Sequence, residues 1–137
     1  MAPQAIRTER LPIRSAEHIV MVRQSVRRLS IDIGFGLVDQ TKIVTAASEL
    51  ARNTLIHGGG GMAQLEIVER DGRRGIRLMF QDQGPGIPDV ERALQDGFTT
   101  GNGLGLGLGG ARRLSNEFEI CSKPGEGTSV MITRWKA

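Results

Sequence analysis

At 137 residues the chain is about one domain long, enough to bury a core and too short for two. Its formal charge is only +3, its basic residues pair up only at Arg27-Arg28, Arg73-Arg74 and Arg112-Arg113, and it has four Phe, one Trp and no Tyr. That argues against a nucleic-acid binder, which interleaves basic and aromatic residues, and leaves solvated faces that could meet an acidic protein partner.

Residues 8–14 read as a first strand, placed at a sheet edge because Pro12 cannot donate to a ladder. Ser15 is a candidate N-cap, and Ile19, Val22, Val26 and Leu29 recur at helical spacing, predicting a helix over 16–33 that Gly34-Phe35-Gly36 ends. Asp39 is a second cap candidate, and Ile43, Ala47, Leu50 and Thr54 make an apolar stripe over about 40–57, stopped by Gly58–Gly61. Strands over 62–70 and 76–80 join through Asp71-Gly72, a hairpin dipeptide. A loop over 81 to about 102 precedes a helix over roughly 103–115, and strands over 117–123 and 128–135 turn at Pro124–Gly127. Cys121, the single cysteine, excludes an internal disulfide and a cysteine-based metal site, and reads as a packing residue in its strand. With no apolar run near the roughly 20 residues of a membrane span and no leader-like start, a cytoplasmic protein free of the membrane is expected.

The length, with no internal repeat and no dividing linker, predicts one domain over 1–137, and hairpins at both ends of the element order imply its sheet type. Its fold class is α/β, a two-layer sandwich with a mixed, mostly antiparallel sheet and helices on one face. Loops as long as 81–102 inside a compact domain are usually functional lids.

Glu49, Asn53 and His57 stand four apart, on one side of a helix and beside its apolar stripe. An Asn inside a helix is a mediocre choice unless its amide is used. A triphosphate-bound magnesium ion takes few protein oxygens, so one Asn carbonyl oxygen suffices. A carboxylate one turn earlier can take the proton of an attacking hydroxyl. By themselves the three are equally readable as surface polar residues, and His57 as a partner for the helix dipole. Asp82-Gln-Gly84-Pro-Gly86-Ile87 follows an apolar strand. There a carboxylate can accept from an exocyclic amine while glycines let the backbone pass close to a flat ring; the plain alternative is a capped loop.

Gly101-Asn-Gly103-Leu104-Gly105-Leu106-Gly107-Leu108-Gly109-Gly110 leaves backbone N–H groups uncovered just before a helix, whose amino end can face phosphates. Its leucines argue against a plain linker. Gly105-x-Gly107-x-x-Gly110 matches the dinucleotide fingerprint, but no strand precedes it, and no P-loop occurs anywhere.

In this order and at this spacing, Glu49-Leu-Ala-Arg-Asn53, Asp82-x-Gly84-x-Gly86, Gly101–Gly109 and Gly125-Glu-Gly-Thr128 resemble the nucleotide motifs of the GHKL ATPases: gyrase, MutL-type repair proteins and histidine kinases. With Gly34-Phe-Gly36, Val38-Asp-Gln40 and Gly97-Phe98 added, the chain resembles the RsbT-type switch kinases from about residue 14 to 135. The resemblance implies a serine/threonine kinase using ATP and Mg2+, whose substrates are STAS-domain antagonist or scaffold proteins. It further implies that the kinase binds and activates a PP2C-type phosphatase, and it admits a homodimer. Carried over by position, Glu49 would be the general base, Asn53 the magnesium ligand and Asp82 the adenine reader. Gly84, Gly86, Ile87, Gly101, Gly103, Leu104, Gly105, Leu106 and Gly107 would be nucleotide contacts, His57 a further one, and Thr128 a support for the base. The lid would span about 83–109. The four glycines 58–61 depart from the pattern and are expected to loosen the pocket rim.

Two other readings stand beside the kinase. One is a sequestering, anti-sigma-like module that binds ATP without transferring phosphate. The other is a histidine-kinase fragment, disfavoured because His18, inside the domain, has no partner helix of the needed kind.

Overall fold

The computed structural model describes residues 2–87, 89–94 and 107–137. Five strands form one sheet in the order β1-β2-β3-β5-β4. They are β1 (Gln4–Ile13), β2 (Gly61–Arg70), β3 (Arg73–Asp82), β4 (Glu117–Lys123) and β5 (Gly127–Trp135). All four ladders are antiparallel. Helices α1 (Ala16–Asp32) and α2 (Leu37–Ile56) separate β1 from β2, and α3 (Val90–Ala93) and α4 (Gly107–Arg113) lie between β3 and β4.

Alternation along the strands builds the core. Ala63, Leu65 and Ile67 of β2, Ile76, Leu78 and Phe80 of β3, and Val130 and Ile132 of β5 are buried against Val22, Val26 and Leu29 of α1 and Ile43, Ala47 and Leu50 of α2. Each of the larger side chains, the two alanines excepted, contributes about 1.5–3 kcal/mol by leaving water. The other face is polar at its centre, where Glu66 pairs with Arg77 at 2.8 Å. Toward one end Arg70 stacks over Trp135 at 4.6 Å from the ring centroid.

Pro12 lies on an edge strand, as its missing donor requires. Asp71 and Gly72, at φ 54° and 76°, make the two-residue turn between β2 and β3. Several boundaries differ from expectation. The β2–β3 ladder runs unbroken from Gly61↔Asp82 to Arg70↔Arg73, so backbone pairing extends β3 at both ends past the apolar 76–80 and carries Asp82 into the strand. Helix α2 begins at Leu37 behind Gly36, not at Asp39. Asp39 sits in the first turn, where its carboxylate takes Arg134 Nη2 at 2.6 Å. Ser15 occupies the N-cap of α1 without a side-chain cap bond, and the Arg14 amide donates to His18 Nδ1 instead. The loop after β3 contains α3, capped by Asp89 accepting from the Arg92 amide at 3.0 Å.

Cys121 is a correction. It lies in β4 as expected but is exposed, because the alternation of that strand turns Phe118, Ile120 and Ser122 inward and Cys121 outward. Among the described residues no helix is long and apolar enough to cross a membrane.

Candidate functional site

A cavity of about 480 Å³ opens between α2, the end of β3 and the β4–β5 hairpin. That is within the range of small-molecule sites. Leu50, Phe80, Ile87 and Val130 give it apolar walls, and Asn53, Asp82 and Thr128 bring polar groups into it.

Three backbone segments meet at Asp82. Its Oδ1 accepts from the Gly84 amide at 2.9 Å and from the Thr128 amide at 3.2 Å. Among the described residues Oδ2 has no protein partner. The carboxylate is thus held by one oxygen and offers the other as an acceptor. The turn after it is strapped to the hairpin: the Gly125 amide donates to the Pro85 carbonyl at 2.7 Å, and the Ile87 amide to Ser122 Oγ at 2.7 Å. Gly86 has φ 79°, and a β-carbon there would overlap the Lys123 carbonyl. Only glycine meets both conditions without strain.

Gly58 and Gly61 pack against the same point, a correction at those two positions to the loosened rim expected from the run of glycines, whereas Gly59 faces open space and Gly60 approaches the Ile13 carbonyl. A β-carbon at Gly61 would overlap the Gln81 carbonyl, one at Gly58 the Asp82 side chain, and one at Gly84 would lie 2.7 Å from Gly58 Cα. The run is a close approach of the α2–β2 connection to β3, bounded by amides that bond back to the helix: Gly58 to Asn53 at 3.1 Å and Gly60 to Thr54 at 2.9 Å. A glycine cluster looks alike in sequence whether it is loose or tightly packed. Contacts decide.

Of the residues singled out from the sequence, Asn53, His57, Asp82, Gly86, Ile87 and Thr128 line the cavity together. Glu49 lies one turn before Asn53 on α2, half-buried and outside the lining. Gly84 acts on Asp82 through its amide rather than on the cavity. Gly107 starts α4, whose Leu108 reaches the lining. Gly97, Phe98, Gly101, Gly103, Leu104, Gly105 and Leu106 lie outside the described residues. Sequence reasoning missed Phe80, Asp89, Arg92 and Ala93 in the lining and Ser122 behind it. The Asp89 cap before Arg92 was the one local signal available for α3.

A cavity with apolar walls and a carboxylate in its lining, one of whose oxygens is unpartnered among the described residues, can accept a hydrogen bond from an exocyclic amine of a ligand. Asn53, whose amide has no side-chain partner among the described residues, fits a single oxygen donated to a phosphate-bound cation. Among the described residues no group of three or more His, Cys, Asp or Glu could hold a metal by itself. Such an ion would need phosphate and water for its other ligands.

Residues 38–136 match the family described as histidine kinase-, DNA gyrase B-, and HSP90-like ATPase. The serine/threonine-protein kinase RsbT of Bacillus subtilis is 46% identical over 117 residues, 85% of this chain and 88% of that protein. The anti-sigma F factor of Geobacillus stearothermophilus is 33% identical over 101 residues, 69% of this chain and 68% of that protein. The crystal structure of the RsbU and RsbW domains of a Mycobacterium tuberculosis protein superposes with a TM-score of 0.66 at 22% identity. It covers 96% of this chain, which spans 33% of that one, and at that identity the likeness concerns the fold.

Proposed function

This chain belongs to the RsbT-type branch of the histidine kinase-, DNA gyrase B- and HSP90-like ATPases, and from that premise we propose that it transfers the γ-phosphoryl group of ATP to a serine or threonine of a protein partner. The single observation that carries the reading is the convergence of Asn53, Asp82 and Thr128 on one cavity, from three separate elements.

In this reading Asp82 Oδ2 accepts from the adenine amine while Phe80, Ile87 and Val130 flank the ring. Asn53 would hold the Mg2+ that accompanies ATP, and that ion would supply charge neutralisation at the phosphates. Glu49, one turn along α2, takes the proton of the acceptor hydroxyl. That oxygen bonds to the γ-phosphorus as the bond from phosphorus to the β–γ bridging oxygen breaks, and ADP leaves. Positioning and electrostatics supply most of the acceleration in such transfers. The partner class is a small STAS-domain protein, and release from it would free the kinase to activate a PP2C-type phosphatase. A cytoplasmic setting accords with these partners.

Incubation with labelled ATP and a STAS-domain protein tests the reading, with Glu49→Ala as comparison. Transfer is expected with the wild type and not with the variant; equal labelling by both would remove Glu49 as the base.

The anti-sigma F factors among the relatives favour a second reading, in which the chain sequesters a partner without transferring phosphate. Partner capture by Asn53→Asp separates the two. Capture that survives loss of nucleotide binding supports the sequestering module, and capture lost with it supports the nucleotide-dependent kinase.

A further inference from the structure

A second carboxylate shares the cavity with Asp82. Asp89 also lines it, exposed where the cavity opens to solvent. Its Oδ1 accepts from the Arg92 amide at 3.0 Å and caps α3. Among the described residues its Oδ2 has no protein partner. Each of the two acids is thus held through one oxygen by backbone amides and offers the other. We propose that Asp89 is a specificity-determining residue for the sugar: its Oδ2 accepts from the ribose hydroxyls of ATP, and so makes the site choose a ribonucleotide.

The donors on the ligand carry this assignment. At neutral pH ATP has hydrogen-bond donors in two places only, the exocyclic amine of adenine and the 2′- and 3′-hydroxyls of the ribose. Its remaining polar atoms are ring acceptors and anionic phosphate oxygens, and a carboxylate set against phosphate meets like charge. With the amine assigned to Asp82, the hydroxyls are the donors left for Asp89. An ionised acceptor makes the stronger hydrogen bond to a hydroxyl. Acidic residues read the ribose hydroxyl in this way in an unrelated dinucleotide-binding fold.

Position agrees with chemistry. Asp89 stands two positions past Ile87, which flanks the base in the proposed reading and whose amide is tied to Ser122 at 2.7 Å. Two residues span at most about 7 Å, so Asp89 stays at the base end of the ligand, where the sugar is attached. Helix α3 holds it there, because Ala93 is buried in the core. The cap itself uses one oxygen, which Ser or Asn would supply about as well. A second acceptor oxygen is what Asp adds.

This inference rests on the nucleotide reading of the cavity, and the experiment keeps the two apart. Affinities of the Mg2+ complexes of ATP, 2′,3′-dideoxy-ATP and purine riboside triphosphate, which lacks the exocyclic amine, are measured by calorimetry for wild type and Asp89→Ser. Melting temperatures without nucleotide are taken in parallel. Wild type should bind the dideoxy nucleotide about five-fold more weakly than ATP, the scale of one net hydrogen bond. Asp89→Ser keeps the cap and removes Oδ2. It should melt like the wild type, bind ATP about as weakly as the wild type binds the dideoxy nucleotide, and leave the dideoxy affinity unchanged. A preference retained in Asp89→Ser, or equal losses toward both nucleotides, would reduce Asp89 to the cap of α3 and overturn the proposal. A wild type that binds both alike would overturn it too. Purine riboside triphosphate decides the other question: a wild type that binds it as tightly as ATP overturns the adenine reading of Asp82, whatever the sugar comparison gives. Should Asp89→Ser fail to fold, Asp89→Thr, which also caps, carries the same comparison.

Discussion

The two sides of the cavity are built differently. On the hairpin side, polar groups are already engaged within the protein: Asp82 Oδ1 holds two amides, Ser122 holds the Ile87 amide and Thr128, and Gly125 is tied to Pro85. On the helix side, Asn53 has no side-chain partner among the described residues, and neither has Glu49, one turn earlier and outside the lining. A purine edge has a fixed pattern of donors and acceptors, so a site for it can be completed before the ligand arrives. A metal, phosphates and an acceptor hydroxyl bring their own ligands and protons, and groups meant for them must be left open. The contrast predicts that the hairpin side couples to stability without ligand and the helix side does not.

The sharpest test is Glu49→Ala. Phosphoryl transfer should fall about 10²–10⁴-fold, while the melting temperature without nucleotide and the affinity for ATP stay near those of the wild type. A large drop in melting temperature would break the comparison by showing that Glu49 is engaged in the fold. Asp82→Ala should act on both quantities. Losing a charged acceptor costs ATP about 10–100-fold in affinity, and the orphaned Gly84 and Thr128 amides cost about 1–3 kcal/mol of stability in urea unfolding without ligand. An unchanged unfolding midpoint would contradict the preorganised hairpin side. Gly86→Ala should cost about 1–3 kcal/mol through strain at positive φ, with weaker ATP binding, read by the same unfolding and calorimetry.

Away from the cavity, Arg134→Ala should destabilise by about 1–2 kcal/mol in urea unfolding, because Asp39 and the Leu114 carbonyl both lose their donor. Cys121→Ser should shift stability by less than about 0.5 kcal/mol, as suits an exposed strand position. A larger effect there would revive Cys121 as a packing residue.

Much of the fold was legible because its elements carry strong local patterns. The stripe Ile43, Ala47, Leu50 and Thr54 marked α2, and Asp71-Gly72 marked its hairpin, since periodicity and turn chemistry are local properties of the chain. The ends of β3 were not legible. Arg73, Arg74, Gln81 and Asp82 are polar, and only pairing with β2 makes them strand. The beginning of α2 failed in the same way, because Asp39 suits an N-cap locally but is spent on Arg134, almost a hundred positions away in the chain.

By itself the sequence determined the nucleotide-site reading: an Asn and a carboxylate one helical turn apart, an acid at a strand end and glycines at fixed spacing need no partner to be seen. It also determined where glycine stands, but not what glycine does there. Only the tertiary structure decided that Gly58 and Gly61 close tightly on Asp82 and Gln81, that Arg92 and Phe80 line the cavity, and that Ser122 reaches Thr128 and Ile87. Those are contacts between strands and turns far apart in the chain, and their geometry follows from sheet register and close packing, which no local pattern encodes.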